Sequence, residues 1–107
     1  MDINQYDIIL VDLDPAKGSE IKKTRPCLVI SPNEMNRHLR TIVVAPMTTA
    51  EKPYPTRVAI AHDGKKGAAA LDQIRTIDKG RAVRVLGRIS DSEIAKCKAV
   101  IKETFVD

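Results

Sequence analysis

An arginine stands at the junction between a basic segment and an apolar run in residues 22–31, KKTRPCLVIS. Pro26 directly follows Arg25 and has a φ fixed at about −65°, so we expect the chain to enter a buried strand with Arg25 presented in a set direction. A guanidinium places two parallel N–H donors on the oxygens of one phosphate or carboxylate. The junction is therefore suited to holding an anion.

Other polar residues fall at the predicted ends of strands. Hydroxyls, carboxylates and an amide occur there at Ser19, Glu20, Thr48, Thr49, Asp72 and Gln73. Each one taken alone is an ordinary turn residue. They would form a site with Arg25 only if neighbouring strands bring their ends together.

Most familiar catalytic patterns are absent from the sequence. It has no GxSxG, Walker, HExxH or GxGxxG motif, and DGKKG fits a hairpin turn better than a phosphate loop. We expect His38 and His62 to lie at the surface. Cys27 and Cys97 lack a ligand spacing for zinc, and we interpret them as two small buried thiols, with a disulfide left open.

Positive charge is concentrated in two segments. The net charge is +4 and the pI about 9.2, with six bases against two acids in residues 17–40 and five bases against one acid in residues 73–88. This asymmetry is consistent with a polyanion-binding surface and also with a plain solvated face. Tyr54 is the one aromatic residue expected to be exposed for stacking on a base, because Tyr6 and Phe105 fall on predicted buried faces.

Alternating apolar residues predict a mainly β domain. Strands are expected at residues 6–13, 26–31, 41–47, 56–60 and 68–74, with weaker candidates in RTI and AVRVL. The Asp-Gly turn in HDGKKG predicts a hairpin. The polar segment DPAKGSEIKKT is long for a hairpin loop, and loops of that length are usually functional or mobile.

Two capping signals predict helices. Ser31, Pro32 and Glu34 match an N-cap, first-turn proline and capping-box glutamate for a short helix. Ser90 and Glu93 form the same pattern before a longer C-terminal helix whose apolar face repeats at helical spacing.

The length of 107 residues fits one small domain. We expect dimerisation, because a small domain buries limited surface and a two-fold axis could join two basic faces. No apolar run is long enough to span a bilayer, and the acidic first 14 residues lack a signal-peptide pattern. A cytoplasmic protein without a membrane partner is expected.

Four blocks of the sequence together resemble the MazF/PemK family of bacterial toxins. They are DIILVDLDPAKGSEIKKTRPCLVISPNEMN, TIVVAPMTT, GAAALDQIRTID and DSEIAKCKAVI, in the order and spacing of the family. The resemblance implies an SH3-like small β-barrel with a short helix after the second strand and a C-terminal helix, spanning residues 1–107 as a single domain and assembled as a homodimer. It also implies an endoribonuclease that cuts single-stranded RNA without a metal or other cofactor, and a cognate antitoxin with an acidic disordered tail.

The resemblance also assigns site residues. It places the catalytic arginine at Arg25 and the catalytic hydroxyl at Thr48. The substrate-binding set comprises Gly18, Ser19, Glu20, Lys22, Thr49, Asp72 and Gln73. In some relatives an arginine precedes the aspartate by two residues, and here that position is Ala70.

The mechanism that the resemblance implies starts from the 2′-hydroxyl of RNA, which attacks the neighbouring phosphate. A guanidinium has no free lone pair with which to take up a proton and is a poor base, so Arg25 is predicted to stabilise charge, while Glu20, Asp72 or water transfers protons. Two alternatives lack catalysis. One is a toxin of the same fold that acts by binding a protein such as gyrase, and the other is an inactive RNA-binding or antitoxin-binding protein.

Overall fold

The computed structural model describes residues 1–12, 24–49 and 52–106. Seven strands occupy these ranges: β1 Asp7–Asp12, β2 Thr24–Val29, β3 Thr41–Thr48, β4 Arg57–His62, β5 Lys65–Ala70, β6 Arg75–Asp78 and β7 Ala82–Arg88. The helices are α1, Asn33–His38, and α2, Asp91–Ile101, which continues into a π-helical turn, Lys102–Val106. Among the described residues, no helix has the length and apolar character needed to cross a membrane.

The strands form one curled antiparallel sheet in the order β4-β5-β3-β2-β1-β7. One edge of β3 is shared, because residues Thr41–Val44 pair with β6 while Met47 and Thr48 pair with β5. The curl brings the outer strands β4 and β7 together. A Cβ atom added to Gly87 of β7 would lie 2.3 Å from Cε1 of His62 on β4. The architecture agrees with the predicted mainly β small barrel with a short and a C-terminal helix.

Two hydrophobic clusters lie on opposite faces of the strands. The concave cluster includes Ile8, Leu28, Ile60 and Leu71, together with Cys97 from α2. The second cluster consists of the alternate strand residues, which are Ile9, Val11, Cys27, Val29, Ile42, Val44 and Ile77, with Ile3. Both thiols are buried and free, as predicted.

The C-terminal helix begins as its capping box predicts. The backbone N–H of Glu93 donates to Ser90 Oγ, and the backbone N–H of Ser90 donates to the Glu93 carboxylate. The same carboxylate accepts a 2.8 Å hydrogen bond from the backbone N–H of Ala61. The cap therefore also fastens α2 to the edge strand β4.

The predicted capping box at Ser31 is wrong. Pro32 occupies the N-cap position of α1 and no side chain caps this helix. Ser31 Oγ instead donates to Asn36 Oδ1 over 2.5 Å and accepts from the backbone N–H of Val43 over 3.0 Å. Ser31 therefore precedes the N-cap position, and its hydroxyl connects α1 to β3.

Three further expectations need correction. Phe105 is 51% exposed, because the helix changes to a π-helical turn after Ile101 and the apolar face rotates away from the core. The strand predicted over residues 68–74 ends at Ala70 and gives way to a 3₁₀ turn, Leu71–Gln73. His62 is only partly at the surface, with 25% of its side chain exposed beside Gly87, whereas His38 is exposed as predicted.

Candidate active site

Strand pairing brings Arg25 and Thr48 to the same end of the sheet. The β2–β3 ladder ends at Cys27 opposite Pro46, and Arg25 and Thr48 each lie two residues beyond that last pair. Residues opposite each other in an antiparallel pair point to the same face. The two residues are 23 positions apart in sequence, and β2 begins and β3 ends at the same end of the sheet, where both residues lie.

The backbone holds Arg25 in a defined place. It pairs with Val11 of β1 on one side, and its carbonyl oxygen accepts a 3.7 Å hydrogen bond from the Cys27 thiol. Burial raises the pKa of that thiol to about 11, against the opposing influence of Arg25 and Arg75. The thiol therefore stays a neutral donor at physiological pH, while the Arg25 side chain is exposed to solvent.

A cavity of about 380 Å³ opens beside Thr48 on the concave side of the sheet. Pro26, Thr48 and Thr49 line it together with apolar residues that include Ile8 and Ile60, and Arg25 is not part of its lining. Basic side chains also line the cavity, with Asp63 among them, and these are His62, Lys65, Lys66 and Arg84. Such a cavity favours an anionic ligand, because cations of neighbouring strands face a common space.

Asp72 has a different set of partners. Its Oδ1 accepts hydrogen bonds of 3.0 Å from both Arg57 Nε and Thr56 Oγ1. The hydrogen bond from Arg57 is the main cause that lowers the pKa of Asp72. Arg57 also lies over the ring of Tyr54, 5.3 Å from its centroid. The structure thus ties Asp72 to β4, and it places Gln73 beside it, exposed in the 3₁₀ turn.

Four of the predicted substrate-binding residues, Gly18, Ser19, Glu20 and Lys22, lie outside the described residues. In the described ranges, no group of three or more His, Cys, Asp and Glu side chains could hold a metal ion.

Sequence reasoning missed the roles of Arg57 and His62. Arg57 follows the aromatic Tyr54 at a turn, and an arginine near an isolated exposed tyrosine is a usable signal for a stacked cation. The contact between His62 and Gly87 had no sequence signal, because it depends on the closure of β4 against β7.

The fold and this strand-end site define a class of small curled β-domains with a basic cleft. A family model described as "PemK-like, MazF-like toxin of type II toxin-antitoxin system" matches residues 4–105. The chain belongs to this family.

Sequence and structure similarity to named proteins is consistent with membership of this family. The chain is 35% identical over 96 residues to the endoribonuclease toxin MazF of Escherichia coli, covering 89% of this chain and 86% of that protein. It is 34% identical over 98 residues to the endoribonuclease MazF of Staphylococcus epidermidis, covering 86% and 82%. A MazE–MazF crystal structure from Deinococcus radiodurans superposes with a TM-score of 0.83 at 25% identity, covering 96% of this chain and 95% of that chain.

Proposed function

We propose that this protein is the endoribonuclease toxin of a toxin–antitoxin module and cleaves single-stranded messenger RNA. The observation that carries the proposal is the position of Arg25 and Thr48 at the same end of two paired strands, in a chain that is similar along most of its length to proteins named as MazF endoribonucleases. Lys65, Lys66 and Arg84 line the cavity beside Thr48 and suit a substrate that carries repeated phosphates, while Arg25 is exposed to solvent outside the lining of that cavity.

The proposed reaction uses the nucleophile that RNA itself contains. The 2′-oxygen attacks the adjacent phosphorus, a new P–O2′ bond forms, and the P–O5′ bond breaks. The 2′ proton passes to Glu20 or to water, and the departing 5′-oxygen takes up a proton. The products are a 2′,3′-cyclic phosphate and a 5′-hydroxyl, and the proposed scheme uses no metal ion.

Arg25 stabilises the phosphorane in this scheme. Its fork of donors meets two non-bridging oxygens as negative charge develops, and a donor placed in advance contributes about 3–4 kcal/mol in well-studied sites. Thr48 donates a hydrogen bond to a non-bridging oxygen or orients the 2′-hydroxyl. Removal of either group should slow the chemical step more than it weakens RNA binding.

We further propose two protein partners. The cognate antitoxin would place an acidic disordered tail along the basic cleft, in keeping with the charge of +4. A second copy of the chain would cover exposed apolar side chains, which include Val83, Val85, Phe105 and Val106. A cytoplasmic location follows from an intracellular RNA substrate.

The test is cleavage of a long single-stranded transcript by the purified protein in excess chelator. We expect fragments whose 5′ ends accept phosphate from a kinase without prior dephosphorylation and whose 3′ ends carry a cyclic phosphate. Arg25→Ala and Thr48→Ala should slow cleavage by a factor on the order of 100–1,000 with unchanged circular dichroism. Intact RNA with the wild-type protein would reject the nuclease, and near-normal cleavage by a variant would reject that residue's role.

A further inference from the structure

A second arginine, Arg75, lies on the same face of the sheet as Arg25. Arg75 of β6 pairs with Val44, which in turn pairs with Val29 of β2. Arg25 precedes the buried Cys27 by two residues, and Arg75 precedes the buried Ile77 by two. Because side chains two apart in a strand share a face, both arginines lie on the face of the second hydrophobic cluster.

The Cys27 thiol lies between the two arginines. Cys27 is two residues from Arg25 on β2, and one intervening strand separates it from β6. Both guanidiniums are close enough to lower the pKa of the thiol, although burial, the larger influence, raises it. Two cations thus face a common stretch of surface above one buried residue.

Among the described residues, neither guanidinium has a carboxylate partner. Both side chains are exposed, and within residues 1–12, 24–49 and 52–106 no carboxylate forms an ion pair with either of them. By contrast, Arg57 is neutralised by Asp72. Two neighbouring cations without a carboxylate repel each other, and a bound polyanion would relieve that repulsion.

We propose that Arg75 is a second phosphate-binding point, which holds a phosphate next to the scissile one on the same RNA strand. The inference rests on the proposed function, since Arg25 marks the scissile phosphate. Strand spacings of about 4.8 Å and rises of about 3.4 Å per residue put the two Cα atoms roughly 16 Å apart on a flat sheet. The length of both side chains lets the two guanidiniums reach neighbouring phosphates of one RNA strand across this span.

The role predicted for Arg75 is binding and not chemistry. Arg75→Gln should therefore raise KM for RNA several-fold and leave kcat within about twofold. Binding to a 2′-O-methyl RNA, which lacks the nucleophile, isolates this contribution. On a plot of log affinity against log salt concentration, loss of one phosphate contact should reduce the slope by about 0.7. Arg75→Lys keeps the charge and should keep the slope.

Arg37→Gln is the matched control, because it removes the same charge from the exposed last turn of α1. We expect its slope to equal that of the wild-type protein. Circular dichroism and thermal melting must show that Arg75→Gln is folded. A slope for Arg75→Gln equal to that of Arg37→Gln would overturn the proposal.

Two further outcomes are informative. If Arg75→Gln weakens binding of an acidic peptide such as polyglutamate and leaves RNA binding intact, the arginine serves a protein partner and the proposal fails. If the wild-type protein never cleaves unmodified RNA but Arg75→Gln still loses slope on 2′-O-methyl RNA, the nuclease proposal fails and the phosphate-binding role stands.

Discussion

The hydrogen bonds of Asp72 decide which of its conceivable roles it can fill. Its carboxylate accepts from Arg57 Nε and Thr56 Oγ1, and the bond from Arg57 is the main reason its pKa is lowered. A carboxylate with a lowered pKa is a weaker base at neutral pH. Asp72 is therefore better suited to hold Arg57 over Tyr54 than to take the 2′ proton, which leaves Glu20 or water for that step.

Asp72→Asn tests this role at the level of one residue. We expect kcat within about tenfold of the wild-type value and an unchanged acid limb in the pH–rate profile, since the amide removes charge but no essential base. Glu34→Gln on the exposed side of α1 is the control. Loss of the acid limb in Asp72→Asn alone would make Asp72 the general base.

At the scale of elements, closure of the sheet depends on the contact between β4 and β7. The two strands are at opposite ends of the sheet order, and His62 of one packs directly against Gly87 of the other. His62 also lines the cavity beside Thr48. The closure that completes the small barrel therefore also shapes one wall of the candidate site.

Gly87→Ala is expected to destabilise the fold, because the new methyl group would lie 2.3 Å from His62 Cε1. Overpacking of this kind costs about 1–3 kcal/mol in the free energy of unfolding. In a His62→Ala background the same substitution should cost much less, since the imidazole is gone. Urea unfolding of the four proteins in this cycle measures the coupling.

Gly64→Ala provides a comparison of a different kind. No atom lies within 4 Å of its added Cβ, but its φ of +72° is unfavourable for alanine. We expect a cost of about 1–2 kcal/mol from the backbone alone, independent of His62. Equal costs for Gly87→Ala in both backgrounds would show that His62 moves aside freely.

The same scale shows what sequence patterns can and cannot predict. The hairpin could be predicted because an Asp-Gly turn favours positive φ, which Asp63 and Gly64 both adopt. The cap of α2 could also be predicted, since Ser90 and Glu93 form it as their sequence pattern indicates. Ser31 presents an equally good capping pattern, but its hydroxyl forms hydrogen bonds with Asn36 and Val43 instead. Local patterns fail where a distant strand competes for the same atom.

The candidate site also contains residues that the sequence predicted and residues that it did not. Arg25 and Thr48 were predicted because the family resemblance covers them, and antiparallel pairing of β2 with β3 places both at the same end of the sheet. The positions of Arg75 and His62 depend on which strands become neighbours, and β6 pairs with β3 across 31 or more sequence positions. Period-two alternation specifies a face but not the neighbouring strand.

At the scale of the whole molecule, the two thiols report on two separate packing regions. Cys97 belongs to the concave cluster under α2, and Cys27 to the cluster on the other face of the strands. Burial raises the pKa of each thiol from 9.0 to about 11. Each folded thiol therefore keeps its proton at a pH where the unfolded thiol has lost it.

This difference predicts a loss of stability in alkali. The contribution of each thiol is fully present below pH 9 and is lost as pH rises through about 11, because the unfolded state then binds fewer protons than the folded state. Two pKa units correspond to about 3 kcal/mol for each thiol.

Chemical unfolding between pH 9 and about pH 11 should show a steep fall in the free energy of unfolding. Cys27→Ala and Cys97→Ala should each make that fall shallower, whatever they cost at neutral pH. Because Tyr6 is also buried with a raised pKa, the double variant should keep a reduced slope. An alkaline profile unchanged in both single variants would show that the thiols ionise without opening either packing region.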